Sequence, residues 1–373
     1  MAHKNIEDLF YLFILLGTDG IGPQKIFSFL TQFPDFKSIV NANLKQLTRT
    51  EGISTTLAER ILASRNNYNS IREKVLSTLE KIERMKGELI TYWDNQYPDL
   101  LKRIFHPPLI IYTLGEFKPA DEESIAIVGT RLPSPYGRLE AEKFASGLAG
   151  KKMTVVSGMA RGIDSVAHDS TLRSGGRTIA VIGSGLDVIY PPENRKLFER
   201  IRENGVIVSE FDFGTKPDAQ NFPKRNRIIS GLSLGTLVVE TRFTGGAMQT
   251  AAYALDQNRE IFAIPGNINV AQSEGPNSLI QRGEAKLVTC VDDILQELRL
   301  DRKPDLKKEL NIKKVDISFF EQKVYDVLSL EPKQIDDIAA AASLSISECL
   351  VNLLTMEFKG VVKQLPGKMF IRD

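Results

Sequence analysis

Three cations, Lys224, Arg225 and Arg227, fall within four positions of the stretch NFPKRNRIISGLS, Asn221 to Ser233, which then turns apolar. Neighbouring like charges on a helix repel unless salt or a partner screens them, so an anion is the ligand this segment suits. Phe222 stands just ahead of them, where a ring can either stack on a nucleobase or anchor the helix in a core. Adjacent helical side chains diverge. At least one of Arg225 and Arg227 is therefore expected to face away or to pair with a carboxylate.

A second set of residues suits the same ligand. Gly129-Thr130-Arg131, Ser157-Gly158 with Arg161-Gly162, Gly183-Ser184-Gly185, Gly245-Gly246 after Glu240, and Pro265-Gly266 each follow a short β-branched run. Several lead into helical patterns, and a glycine turn at a helix start exposes backbone amides and a positive dipole end to a phosphate.

Other chemistries fit less well. GSGLDV has Val188 where a dinucleotide fingerprint needs its third glycine, although Glu210 ends the next run where a ribose-binding carboxylate can stand. No Gly-x-x-x-x-Gly-Lys-Ser/Thr string occurs, which removes the P-loop. Ser157 lacks the glycine two residues before it that a nucleophile elbow requires, and His3, His106 and His168 form no metal-ligand spacing. Asp164 and His168 stand four apart on one helix face, which favours a structural hydrogen bond beneath the loop over acid-base work. Glu240, at a strand end beside Gly245-Gly246, is either a catalytic carboxylate or a brace for that loop.

The elements that position these residues can be read from periodicity. SIAIVG, TVVSG, TIAVIG, VIVSE, GTLVVE, EIFAIPG and AKLVTC are strands alternating with amphipathic helices over residues 120–300, which predicts an α/β fold with a doubly wound, mostly parallel sheet. Ligands of such sheets lie beyond the strand C-termini, so the glycine loops and the cationic helix start gather on one edge. Residues 1–66 are helical, with two similar turns, Gly20-Ile21-Gly22-Pro23 and Glu51-Gly52, each opening a helix in the manner of a SAM or helix-hairpin-helix domain. Residues 67–119 form a helical and then extended connector packed on the sheet domain. A charged linker over 301–314 leads to residues 315–373, where three helices and two strands around Pro366-Gly367 describe a winged helix. Its third helix holds Glu348 and Glu357 and only Lys359 near its end, so protein contact suits it at least as well as duplex reading.

Composition bounds these readings. A chain of 373 residues, 42% apolar and 25% charged, is a folded soluble protein of two or three domains. Its net charge of only +1 means that nucleic-acid binding must rest on local clusters. Cys290 and Cys349 make no metal or redox spacing, as expected of a reducing cytoplasm. The apolar run Leu9 to Leu16 is too short for a membrane span and follows acidic Glu7 and Asp8, so it reads as a core helix with no membrane role.

GTRLPSPYG, SGMARGIDSVAH, GSGLDVIYPPEN, NFPKRNRIISGLS, VVETRFTGGAMQTA, FAIPGN and GPNSLIQRGEA stand in the order and spacing of the DNA processing protein A family, also called Smf, and the chain resembles a full-length member. The resemblance implies an extended Rossmann domain that binds single-stranded DNA without cutting it, uses no cofactor, dimerises, and loads the RecA recombinase in natural transformation. It implies phosphate or DNA contacts at Gly129, Thr130 and Arg131, at Ser157, Gly158, Arg161 and Gly162, at Phe222, Lys224, Arg225, Asn226 and Arg227, and at Gly245 and Gly246. Thr130 and Ala247 stand where the family usually has serine, and SEFDFGT departs from the proline-bearing form common after that Ser-Glu. The family's C-terminal domain resembles a Z-DNA-binding winged helix. The other reading is a nucleotide-processing enzyme of the phosphoribohydrolase type, with Glu240 and Arg131 catalytic. Against it, GLSLGTLVVE keeps Gly235-Thr236 and Glu240 but lacks the preceding glycines of that group.

Overall fold

In a computed structural model, residues 6–300, 318–329, 333–359, 361–365 and 369–372 are described, and the chain falls into two units, 1–301 and 302–373. The expected 301–314 linker and the Pro366-Gly367 turn lie outside the described residues.

The first unit is built on a nine-stranded sheet: β1 (Gly87–Thr91), β2 (Ile110–Leu114), β3 (Ser124–Val128), β4 (Thr154–Ser157), β5 (Thr178–Val181), β6 (Val206–Ser209), β7 (Gly235–Val238), β8 (Glu260–Ala263) and β9 (Lys286–Leu287). Its order is β1-β2-β6-β5-β4-β3-β7-β8-β9. The run from β6 to β9 is parallel, while β1 and β2 are antiparallel. The chain thus winds from β3 out to β6 and returns to β7 on the other side of β3, the doubly wound topology expected.

Burial on both faces explains the β-branched runs. Ile125 and Ile127 of β3 join Leu237, Phe262 and Phe144 on one face, while Ala126 and Val128 join Val238, Ile261 and Ile228 on the other, the two-residue alternation of a pleated strand. Helices cover both faces. Six α-helices between Ile6 and Arg84 pack through Leu12, Ile14, Ile26, Phe29 and Ile61 into a core that also takes in Tyr112, Leu114, Ile207 and Ile201, so they share one hydrophobic body with the sheet. Both expected turns there are present, with Gly20 and Gly52 in the left-handed region at φ +88° and +76°, ahead of the helices Pro23–Leu30 and Thr55–Ser64.

One boundary needs correction. Part of the 67–119 stretch is no connector, because Gly87–Thr91 pairs with Ile110–Leu114 and the latter pairs with β6. The sheet therefore starts at Gly87, ahead of residue 120.

The second unit has helices Phe319–Val327, Ile335–Ala342 and Ile346–Phe358 and a small sheet of β10 (Lys333–Gln334), β11 (Val362–Leu365) and β12 (Met369–Arg372). Ser318 with Glu321 and Ser345 with Glu348 form capping boxes that start the first and third helices. This is the expected winged helix with one further short strand. Among the described residues no single helix is long and apolar enough to cross a membrane.

Candidate nucleic-acid interface

The return of the chain from β6 to β7 opens a crevice at the C-terminal edge of β3, β4 and β7, where this topology places ligands. A groove of about 800 Å³ occupies it. Its walls come from the loop after β3 (Gly129, Thr130, Arg131, Leu132), from Ala160 and Asp164 after β4, from Tyr190, from Phe222, Pro223, Arg225 and Asn226 on the helix Asn221–Gly231, and from Thr241, Arg242 and residues 244–247 after β7. A narrow extension runs on past Gly158, Arg161 and Gly183.

The loops approach so closely that glycine is required. A Cβ on Gly162, whose φ is +78°, would stand 2.8 Å from Arg131 Cα, and one on Gly129 would stand 2.5 Å from Ile163 Cγ1. The loops also share backbone bonds: Thr130 donates to the Glu240 carbonyl at 2.6 Å, and Ile163 donates to the Thr130 carbonyl at 3.1 Å.

Glu240 is the brace and not an open acid. It is 2% exposed, and its carboxylate accepts from the Ser134 amide (2.9 Å) and hydroxyl (2.5 Å) at the start of the helix Pro135–Gly150. A carboxylate there also complements the helix dipole. Gly137 leaves room for it, since a Cβ would press to 2.9 Å from Glu240 Cγ.

The cations separate into two groups. Arg131 and Lys224 are exposed and make no carboxylate pair among the described residues. The Arg131 guanidinium lies 5.3 Å from the centre of the Phe222 ring. Lys224 stands on the first turn of its helix at the border of the groove, just outside the wall. Arg225 and Arg227 both turn inward, which corrects their assignment as phosphate contacts. Arg225 is 4% exposed and donates through Nη1 to the carbonyls of Gly158 and Val181, while Arg227 pairs with Glu210. Glu210 is thereby occupied and is not a free ribose ligand. Arg161 is exposed and pairs with Glu193, with one contact of 3.1 Å, beside the Tyr190 ring. Because that pair is open to solvent, a phosphate can exchange for the carboxylate at little cost.

Beneath the groove, Asp164 accepts from the amides of Gly158 (3.2 Å) and Ala160 (3.3 Å), holding Met159 at φ +60° between them. Burial raises the Asp164 pKa, against the pull of Arg225. Burial also lowers Arg225, to about 10, which leaves it cationic at neutral pH. His168 does not bond to Asp164, contrary to the i, i+4 reading. Its Nδ1 lies 2.6 Å from Thr178 Oγ1, a hydroxyl that is also 2.7 Å from the Val155 carbonyl. Ser157 is fully buried with its hydroxyl on the Ile127 carbonyl, so it shapes the loop and does not reach a ligand. Gly158 and Gly162 act likewise through close approach.

Phe222 anchors its helix and also lines the groove. It is half-buried, Gly183 packs on its edge, and the Tyr190 ring lies 5.8 Å away at 37°. The helix Gly246–Asp256 begins at the groove with Gly245 as N-cap and no side-chain cap, so its first amides are available to an anion. Asn226 reaches its first carbonyl, that of Gly246, at 3.5 Å. Tyr190, Arg242 and Gln272, which pattern reading did not select, also line the groove. Arg242 had a legible signal: it lies between Glu240 and the Gly245-Gly246 turn.

The model of the DNA recombination-mediator protein A family matches residues 88–299, a DprA winged helix domain matches 320–368, and a SAM-like helix-hairpin-helix tandem matches 13–66. Protein Smf of Synechocystis sp. is 34% identical over 95% of this chain and 96% of its own length. The DNA processing protein DprA of Streptococcus pneumoniae is 41% identical over 55% of this chain and 72% of its own. The X-ray structure of the latter superposes with a TM-score of 0.65 at 34% identity, covering 77% of this chain and 97% of that one. DNA processing protein A of Helicobacter pylori, whose structure gave insights into its single-stranded DNA binding mode, superposes with a TM-score of 0.53 at 29% identity, covering 58% of this chain and 97% of that one.

Proposed function

The chain belongs to the DNA recombination-mediator protein A family, and on that premise we propose that it is a non-enzymatic single-stranded DNA binder that processes incoming DNA. On this reading it acts as a cytoplasmic homodimer without a cofactor and hands strands to the RecA recombinase in natural transformation. The observation that carries the binding step is the pairing of Arg131, an exposed cation free of carboxylate partners among the described residues, with the half-buried Phe222 ring in one groove.

The mechanism follows from these parts. Arg131 and Lys224 attract the sugar-phosphate chain, and the amides of Gly246 and Ala247, at a helix start capped by Gly245, donate to a phosphate. The Phe222 ring offers a base a flat face, a contact indifferent to sequence and worth roughly 1–3 kcal/mol. A duplex hides its base faces, so the groove favours one strand over two. Arg225 and Asp164 set the floor and touch no ligand. The phosphoribohydrolase reading needs an open Glu240, and that carboxylate is buried on the Ser134 cap.

Anisotropy titration at fixed salt tests this. Arg131→Ala is expected to weaken single-strand binding about tenfold, the scale of one charge-assisted hydrogen bond, while the wild-type protein releases no base from nucleoside monophosphates. Unchanged affinity in Arg131→Ala, or base release by the wild type, defeats the proposal.

A further inference from the structure

We propose that Glu193 stands in for a phosphate on Arg161 in the free protein, and that a bound strand displaces it and leaves the groove through a depression where Arg138 and Lys196 hold the next phosphates. This extends the groove reading and rests on it.

The path is continuous from contact to contact. Gly162 packs on Arg131, where a Cβ would stand 2.8 Å from the Arg131 Cα, so the adjoining Arg161 starts beside the groove cation and lines the narrow extension together with it. Arg161 turns the fork of Nε and Nη2 to the two Glu193 oxygens, the second contact at 3.1 Å. A phosphate takes the same two-pronged grip. Glu193 in turn borders a depression of about 360 Å³ that Arg138, Ser165 and Lys196 also line. Asn194 fixes this side of the path, since its amide donates to the Met159 carbonyl at 2.9 Å and to Ser165 Oγ at 2.8 Å.

The charges of the depression leave two cations without an anion. Its carboxylates Glu142 and Asp169 are taken by Arg173, at 2.8 Å and 2.9 Å, and Asp169 also by Arg200 at 2.5 Å. Arg138 and Lys196 are exposed and make no carboxylate pair among the described residues. The lining offers Val166 and Leu197 as its apolar side chains and no ring, so it suits phosphates and gives bases nothing to stack on. The exposed Arg161–Glu193 pair holds weakly, so Glu193 keeps the guanidinium in place without blocking the strand.

The test titrates the full chain with oligothymidylates of about six nucleotides, which fill the groove, and about twenty, which extend past it. Arg138→Gln combined with Lys196→Gln is expected to weaken the long oligomer about tenfold and to leave the short one unchanged, whereas Arg131→Ala weakens both. Glu193→Gln is expected to strengthen the long oligomer about threefold, and adding Arg161→Ala to cancel that gain. All of these side chains are exposed, and melting curves that match the wild type exclude a loss of folding as the cause. Long-oligomer affinity that survives the Arg138 and Lys196 changes, or a loss equal for both lengths, overturns the exit path, and the groove stands as long as Arg131→Ala weakens both. A gain in Glu193→Gln that persists without Arg161 reports bulk charge and overturns the role given to Glu193, as does no gain at all. No effect of Arg131→Ala on either oligomer defeats the groove reading itself.

Discussion

At the scale of single residues, the groove depends on side chains that never meet the ligand. Gly158 sits where a Cβ would press to 2.7 Å from both the Arg225 guanidinium carbon and Asp164 Oδ2. Gly158→Ala is therefore expected to cost about 1–3 kcal/mol, the range for overpacking a tight interior, read as a shift in the denaturant midpoint. His168 gives a pH signature. Burial first, and then the Arg225 charge, push its imidazole from about 6.5 down to about 3. The folded-state pKa is depressed, so below pH 6.5 the unfolded chain takes up a proton that the folded chain refuses. Stability then falls by about 1.4 kcal/mol per pH unit until about pH 3. Going from about pH 7 to about pH 5.5, His168→Asn is expected to lose roughly 1 kcal/mol less than the wild type. Arg131 and Lys224 were legible in the sequence because each stands beside a turn with no acidic neighbour. The inward turn of Arg225 was legible only in part. Phe222, Arg225 and Ile229 recur at helical spacing on the buried side, yet a charge on that stripe is readable as core only once the carbonyls of Gly158 and Val181 are seen to receive it. The Arg227–Glu210 pair joins the end of β6 to a helix 17 residues on, a closure that no local pattern announces.

At the scale of elements, the strands β3 to β8 were readable because burial on both faces demands continuous, largely β-branched apolar runs. The strands β1 and β2 were not. GELIT and IIYTL sit among prolines and aromatics, and β2 finds its partner β6 only after the whole parallel half has been wound. The start of the helix Gly246–Asp256 supplies the element-scale prediction. Gly246 has open space where a side chain would go, and Gly245 at φ −74° and ψ 154° has the conformation tolerated before proline. Gly246→Pro is then expected to fold normally, since proline suits the first helical position. It removes one amide from the groove and is expected to lower single-strand affinity about tenfold. An unchanged melting curve with weakened binding is the expected pair of results, and unchanged binding removes this helix from the interface. In the winged helix, Lys359 bonds both oxygens of Glu321 at 2.8 Å, so the third helix ends on a cation already engaged within its own unit.

At the scale of the molecule, the sheet and the N-terminal helices share one core, and the winged helix forms a separate unit. A fragment of residues 121–300 removes β1 and β2 and leaves β6 as a bare edge, so it is expected to aggregate in size-exclusion chromatography. A fragment of residues 1–300 is expected to elute as a folded species and to keep the groove's affinity. The central claim is that this groove grips one unpaired strand through its phosphates, with stacking in support. The most direct test titrates the full chain with single-stranded and duplex DNA across a salt series. The account predicts a clear preference for the single strand and a log-log slope of about −0.7 per neutralised phosphate, reduced by about one such step in Arg131→Ala. Equal affinity for both forms, or a slope that Arg131→Ala leaves unchanged, contradicts it.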